Sequence, residues 1–427
     1  MSEHPQSVIV VGGGPAGAAT AFYLARAGVS VTVLDRARFP RDKPCSEYMS
    51  PQASRILHDM GVLEQIERAG SAQLVGMRIR TPSGTTFHGR FADVVGYRGY
   101  RDCGLALRRT VLDHLLLDRA RAVGATVLEG TRVGSLVRDT NGRVTGVETL
   151  DSNGGSRSRP ATVVVGADGL RSTVARRLAL AGTRFAQRRV AFVTHFTGIE
   201  GVGDSGEMHV ERDGYLGIAD VGDGVANVAV VVPRANAKAA AGDPAAFLNR
   251  WIHRRPHIAP RFARAERIAP VLVTGPFASA ARRAWAPGAA LVGDAADFFD
   301  PFTGEGIYAA LRGAELLSTH VIDAMRGRSV RDADESLRAY DQTRAREFSG
   351  KWAVERIIGA AVTFPSLMEI AARSLALRPA MAHTIVGVTG DFVPAREVLR
   401  PGFLARLLVP WKLGARRAAA TLTSPDA

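Results

Sequence analysis

Val8-Ile9-Val10-Val11-Gly12-Gly13-Gly14-Pro15-Ala16-Gly17 is a run of β-branched apolar residues that breaks into glycine. Four such residues in a row predict a strand buried on both faces. Small and apolar residues then recur at helical spacing to Ala27, and Gly28 closes the helix as a C-terminal glycine does. Val29 to Leu34 is a second apolar strand that stops at Asp35. The segment predicts a βαβ unit with glycines at the strand–helix turn.

The spacing Gly12, Gly14, Gly17 is G-x-G-x-x-G. The first glycine permits the tight turn, the second lets a diphosphate approach the backbone, and the third lets the helix pack on the strand. Free N–H groups at the helix N-terminus add partial positive charge for phosphates. Asp35, followed by Arg36, stands where a carboxylate accepts from adenosine ribose hydroxyls and repels a 2′-phosphate. The unit therefore predicts a dinucleotide site.

Further along, Arg109 to Ala122 reads as an amphipathic helix, and Ala125 to Glu129 as a strand. Val133 to Val165 reads as a β-meander that ends in Val163-Val164-Val165-Gly166-Ala167-Asp168-Gly169. Alternating strands at Ala191–Thr197, Glu207–Val210, Tyr215–Ala219 and Val225–Val232 predict an antiparallel sheet. Ala289 to Val292 returns to the buried-strand pattern, and a helix is expected from Gly306 to Met325. The expected fold is a doubly wound α/β domain with an inserted antiparallel substrate sheet and a helical C-terminal cap. Its boundaries are 1–70, 104–185 and 286–345 for the first unit, 71–103 and 186–285 for the sheet, and 346–427 for the cap.

Gly293-Asp294-Ala295-Ala296 with Pro301-Phe302-Thr303-Gly304-Glu305-Gly306-Ile307 resembles the second FAD fingerprint of para-hydroxybenzoate-hydroxylase-type flavoproteins. Gly166 to Ser172 looks like the same group's aspartate–glycine motif. Lys43-Pro44-Cys45-Ser46-Glu47-Tyr48-Met49-Ser50-Pro51 and Arg109-Thr110-Val111-Leu112-Asp113 are similar to stretches of the geranylgeranyl reductase family. The resemblance implies bound FAD, touched by Ala16, Asp35, Cys45, Ser46, Tyr48, Arg109, Val133, Asp294, Gly306 and Ile307. It places Asp168 near the diphosphate and Gly304 in the flavin cradle, with NAD(P)H as electron donor. It implies roles at the flavin for Cys45 and Glu47, each of which also reads as an ordinary loop residue. Pro301 would stand beside the reacting edge.

Ser46 replaces the usual glycine, and Tyr215 to Asp220 lacks the Tyr-x-Trp-x-Phe-Pro run of geranylgeranyl reductases. The halogenase signature Trp-x-Trp-x-Ile-Pro is absent as well. These departures put hydroxylation of a hydrophobic polyketide, quinone or aromatic molecule first. Reduction of isoprenoid or quinone side-chain double bonds comes second, and non-redox prenyl or lipid binding on the same fold is the reading of another class.

The chain has 427 residues and a formal net charge of +14, with Lys43, Lys238, Lys351 and Lys412 its only lysines. Arginine and alanine bias accounts for much of that charge, and no nucleic-acid partner is expected. Cys45 and Cys103 make neither a disulfide framework nor a zinc site. Met1 to Ser7 carries Glu3 and no Lys or Arg, so a signal peptide is not expected and a cytoplasmic home is. His253 and His257, four apart with Arg254 and Arg255 between them, read as an exposed basic helix, and His195 and His209 as strand residues that pack or line the pocket. Arg396, Arg400, Arg406, Lys412, Arg416 and Arg417 lie among apolar residues near Trp411, which suggests peripheral contact with the inner membrane face.

Overall fold

The βαβ unit forms where the glycine pattern puts it. In the computed structural model, which describes residues 7–150, 155–182, 189–240, 242–277 and 279–409, strand Ser7–Val11 leads into helix Pro15–Arg26 and back to strand Ser30–Leu34. Gly12 sits at φ 105°, and a Cβ there would lie 2.5 Å from the Ala167 carbonyl oxygen. A Cβ on Gly17 would lie 1.8 Å from the Gly12 oxygen, so only glycine allows this helix to approach its strand.

Six strands form the main sheet in the order Trp285–Ala286, Ala289–Leu291, Val163–Gly166, Ser7–Val11, Ser30–Leu34, Thr126–Leu128. All pairings are parallel except that of the edge strand Trp285–Ala286. Val8, Val10, Val163, Val164, Val165 and Leu291 are fully buried, as a parallel sheet covered on both faces requires. Helices Pro15–Arg26, Arg109–Ala122 and Gly306–Arg326 pack in the same core. The meander is three antiparallel strands, Arg132–Arg138, Val144–Leu150 and Ser156–Pro160. Val163–Gly166, expected as its end, instead joins the main sheet beside Ser7–Val11.

A second, largely antiparallel sheet runs Glu266–Arg267, Arg189–Thr197, Val225–Pro233, Gly214–Asp220, Ser205–Glu211, Gly76–Arg80, Thr86–Arg90, with Leu272–Thr274 also on Arg189–Thr197. One face packs on helix Pro244–His253. The other packs on the C-terminal helices Val330–Thr363, Pro365–Leu377, Pro379–Thr389 and Pro401–Leu408. The boundary expected at 345/346 falls inside helix Val330–Thr363. Among the described residues no single helix is long and apolar enough to cross a membrane.

Candidate functional site

A cavity of about 220 Å³ lies between the two sheets. At one end it is lined by Gly14, Pro15 and Ala16, at the start of helix Pro15–Arg26. At the other it meets Gly304, Glu305, Gly306 and Ile307, where helix Gly306–Arg326 begins. Two helix N-termini thus present N–H groups to one space, an arrangement that suits anionic groups. Gly293 and Gly304 both have positive φ, 61° and 73°. A Cβ at Gly293 would meet the Ala16 Cβ at 2.9 Å, and one at Gly304 would meet the Tyr48 ring at 3.0 Å. These glycines keep the cradle open.

Cations gather at the glycine-loop end. Arg109 is 3% exposed and forms a two-pronged ion pair with Asp113, at 2.6 and 2.7 Å. Arg41 joins the same carboxylate at 3.0 Å, and a Gly14 Cβ would face the Arg41 and Arg109 guanidinium groups. Lys43 stands 3.8 Å from Asp294 on the cavity wall. Arg41 and Lys43 were not singled out as ligands in the sequence; the basic Arg41-Asp42-Lys43 loop was the available signal.

The residues singled out from the sequence divide into two groups. Gly14, Ala16, Cys45, Ser46, Tyr48, Arg109, Asp294, Pro301, Gly304, Gly306 and Ile307 line the cavity. Gly12, Gly17, Asp35, Arg36, Glu47, Val133 and Asp168 do not, although most of them shape it. Asp35 accepts the Gly13 N–H at 2.7 Å and the Ala37 N–H at 2.8 Å, so it holds the glycine loop. Asp168 accepts the Ser172 hydroxyl and the Thr173 N–H, both at 2.5 Å, and anchors the short helix Thr173–Arg177. Burial pushes its carboxyl up.

Glu47 is 1% exposed rather than solvated. Its carboxylate accepts the Arg109 N–H at 2.8 Å and the Asn227 amide at 3.0 Å, and meets His195 Nε2 at 2.7 Å. Cys45 Sγ accepts the Glu47 N–H at 3.3 Å. Neither His195 nor His209 lines the cavity; His209 lies 2.9 Å from Glu207. His253 bonds the Asn249 carbonyl, whereas His257 faces Glu211 and Arg80, and no metal-ligand cluster occurs among the described residues.

Beyond the cradle the walls turn apolar, with Met77, Val193, Met208, Tyr215, Phe277 and Phe302 facing inward from the large sheet and its neighbouring loop. Asp300 receives Arg189 and the Tyr215 hydroxyl, each at 2.6 Å, which fixes the loop carrying Pro301. Met77, Met208, Phe302 and Thr303 also border a second chamber of about 120 Å³. Its remaining walls come from the sheet and the C-terminal helices, including Ile79, Phe87, Ile358, Met368, Ala371 and Leu407. Thr303 and Thr389 are its only polar lining residues among those described.

A family model described as an FAD binding domain matches residues 6–350. The chain is 30% identical over 360 residues to digeranylgeranylglycerophospholipid reductase of Methanothrix thermoacetophila, covering 81% of this chain and 84% of the relative. It is 36% identical over 183 residues to 6-methylpretetramide 4-monooxygenase of Streptomyces rimosus, covering 41% and 43% of the two chains. Among solved structures it is similar to the myxobacterial chondrochloren halogenase, with a TM-score of 0.75, 23% identity, and 95% and 92% of the chains covered. That likeness shows the fold.

Proposed function

The chain belongs to the FAD-binding-domain family of FAD-dependent oxidoreductases, and from that premise we propose that it reduces a carbon–carbon double bond in an elongated hydrophobic molecule, an isoprenoid lipid or a quinone side chain. The observation that carries this reading is the second chamber. It is apolar on nearly every side and adjoins the cofactor cavity, sharing Met77, Met208, Phe302 and Thr303 as a common wall, which suits a long apolar tail better than a compact aromatic ring. The reductase relative, matched over most of both chains, supports it.

In this reading the Gly12–Gly17 loop, Arg41, Lys43 and Arg109 hold the diphosphate of FAD, and Asp294 holds the ribityl chain. The N-terminus of helix Gly306–Arg326, whose Gly306 and Ile307 line the cavity, would hold the isoalloxazine. Bound FAD supplies two-electron redox chemistry drawn from NAD(P)H. The chain's own residues position the substrate, exclude water and manage the proton. Phe277, Phe298, Phe302 and Tyr215 form the wall against which the reacting segment rests.

Hydroxylation remains a second reading, supported by that same aromatic wall and by the monooxygenase relative. Exposed Phe364, Ile370, Leu377 and Leu408, beside Arg373 and Arg406, support peripheral membrane contact by the C-terminal helices. Trp411, Lys412, Arg416 and Arg417 of the basic stretch lie outside the described residues.

Rapid mixing of anaerobically reduced, FAD-loaded protein with a polyprenyl quinone, against the same protein with oxygen and an aromatic acceptor, separates the two readings. Direct flavin reoxidation by the alkene, with the saturated product recovered, is expected. Reoxidation that needs oxygen and yields a hydroxylated product would instead establish the second reading.

A further inference from the structure

Beside the Gly304-Glu305-Gly306 turn, four ionisable side chains gather, with those of Glu305 and Asp391 buried and those of Lys351 and Glu355 half-buried. Glu305 is 5% exposed and precedes helix Gly306–Arg326. Lys351 and Glu355 lie one turn apart on helix Val330–Thr363, and Asp391 follows helix Pro379–Thr389 in a left-handed conformation, φ 67°. Glu305, Lys351 and Glu355 all line the cavity. Lys351 pairs with Asp391 and stands 3.5 Å from Glu305 Oε2. Glu305 Oε2 and Glu355 Oε2 are both buried and, among the described residues, neither has a hydrogen-bond partner.

A buried carboxyl oxygen with no donor to satisfy it is more stable protonated than ionised, and one proton can serve two neighbouring carboxyls. The charge balance requires the same proton. Three acids face one ammonium, and Asp391 already accounts for it. Leaving two further carboxylates ionised in this dry corner is less favourable than keeping one protonated. Burial pushes Glu305 well above the carboxylate range and Glu355 up to about 7, with Lys351 opposing and Asp391 reinforcing the rise in each.

The remaining groups facing the cluster are the Tyr48 hydroxyl from strand Tyr48–Met49, Tyr308 from helix Gly306–Arg326, and Asp300 with its partner Arg189. Lys351 Nζ lies 4.8 Å from the Tyr308 ring centroid. Burial pushes the Tyr48 and Tyr308 hydroxyls up, so neither competes for charge near neutrality.

We propose that Glu305 and Glu355 form a shared-proton carboxyl pair that is the proton donor of this site, with Lys351 and Asp391 setting how tightly the proton is held. The proposal deepens the double-bond-reduction reading and rests on it for the identity of the acceptor. In the reaction the π bond of the substrate opens. One carbon forms a C–H bond with hydride supplied by reduced FAD. The other forms a C–H bond with the proton of the pair, using the π electrons, while the O–H electrons stay on the carboxyl oxygen. The substrate gains two electrons, the flavin loses two, and solvent returns the proton to the pair.

The test is infrared difference spectroscopy of the resting FAD-loaded protein across pH, with no substrate present, followed by single-turnover rates. The expected result is the carbonyl band of an un-ionised carboxyl that persists at neutral pH, shifts in deuterium oxide, and is lost in the E305Q/E355Q double variant. That variant should transfer hydride about 10²–10⁴-fold more slowly, the usual range for a lost general acid. The wild-type rate should fall as pH rises above neutrality, because a donor is lost when it deprotonates. D391N removes a neighbouring negative charge, so it should move both the band's midpoint and the rate limb to lower pH; asparagine tolerates the left-handed backbone there. D391N keeps the proposal testable if the double variant fails to hold FAD. Absence of the band at neutral pH, or an E305Q/E355Q protein with the wild-type rate and pH profile, overturns the proposal. A present, D391N-sensitive band in a protein that accepts no alkene sinks the reduction reading while the buried proton pair stands.

Discussion

Glu47 shows how much one side chain can organise without touching the cavity. It occupies a left-handed backbone position, φ 62°, and its carboxylate joins the start of helix Arg109–Ala122 to His195 and Asn227 on neighbouring strands of the large sheet. Asn227 also donates to the Cys45 carbonyl at 2.9 Å, so the loop bearing Cys45, Ser46 and Tyr48 is tied to both halves of the site. E47A leaves these donors buried without their acceptor. It should cost about 1–3 kcal/mol, the scale for leaving a buried hydrogen-bonding group unsatisfied, and release FAD in parallel. E47Q, which keeps the shape, should cost less. Denaturant unfolding of the loaded protein measures both, and an E47A cost below about 1 kcal/mol would remove the clamp role. The sequence marks Glu47 as notable only through its neighbours in the loop. Its partners lie 148 and 180 residues away, and no local spacing reports such contacts.

Elements with a strong period were legible, and those held by isolated polar contacts were not. The helix expected over Gly306–Met325 spans Gly306–Arg326, and the four alternating strands are all present, extended by a few residues at their ends. Strands Gly76–Arg80 and Thr86–Arg90 escaped a strand reading because each has only five residues and is rich in arginine, glycine or histidine. Their turn is where helix Pro365–Leu377 docks. Glu369 accepts the Thr81 and Thr85 hydroxyls, each at 2.7 Å, together with that of Ser83. Burial works against its charge, but the three hydroxyl donors and Arg373 together outweigh it and hold the carboxyl down at about 2. A carboxyl depressed by folding stabilises the protein above its ordinary value and loses that contribution as pH falls through the folded one. The wild type should therefore shed up to about 1 kcal/mol of stability through this contact between pH ~4.5 and ~2, a figure kept small because the group is near solvent. In E369Q that portion of the acid limb should flatten in thermal unfolding across pH. An unchanged acid limb would mean the helix is held by apolar packing alone.

The whole molecule places a nucleotide-binding layer against an apolar sheet and closes the far side with helices, and the function proposed depends on that closure. The first layer was legible because diphosphate binding demands glycines at fixed intervals next to a strand, a constraint written locally. The second chamber was not legible. Its wall joins Met77, Phe87, Met208, Ile358, Ala371 and Leu407, residues from five or more separate segments that share no motif. Only folding brings them together, and in sequence each reads as ordinary core. If the chamber holds a substrate tail, filling it should change chain-length preference and leave chemistry at the flavin alone. Ala371 is 8% exposed and lines the chamber. A371W puts a large ring into existing space, so its stability cost should stay within about 1–3 kcal/mol. Each methylene kept out of the chamber forfeits ~0.8 kcal/mol of burial, so exclusion of two methylenes already raises KM about tenfold. The prediction is a KM that climbs with chain length in A371W, while kcat and KM for the shortest acceptor stay near wild type. Steady-state kinetics over a series of prenyl chain lengths reads this directly. A uniform rise at every length would place the tail elsewhere, because a blocked chamber penalises only the carbons that were meant to enter it.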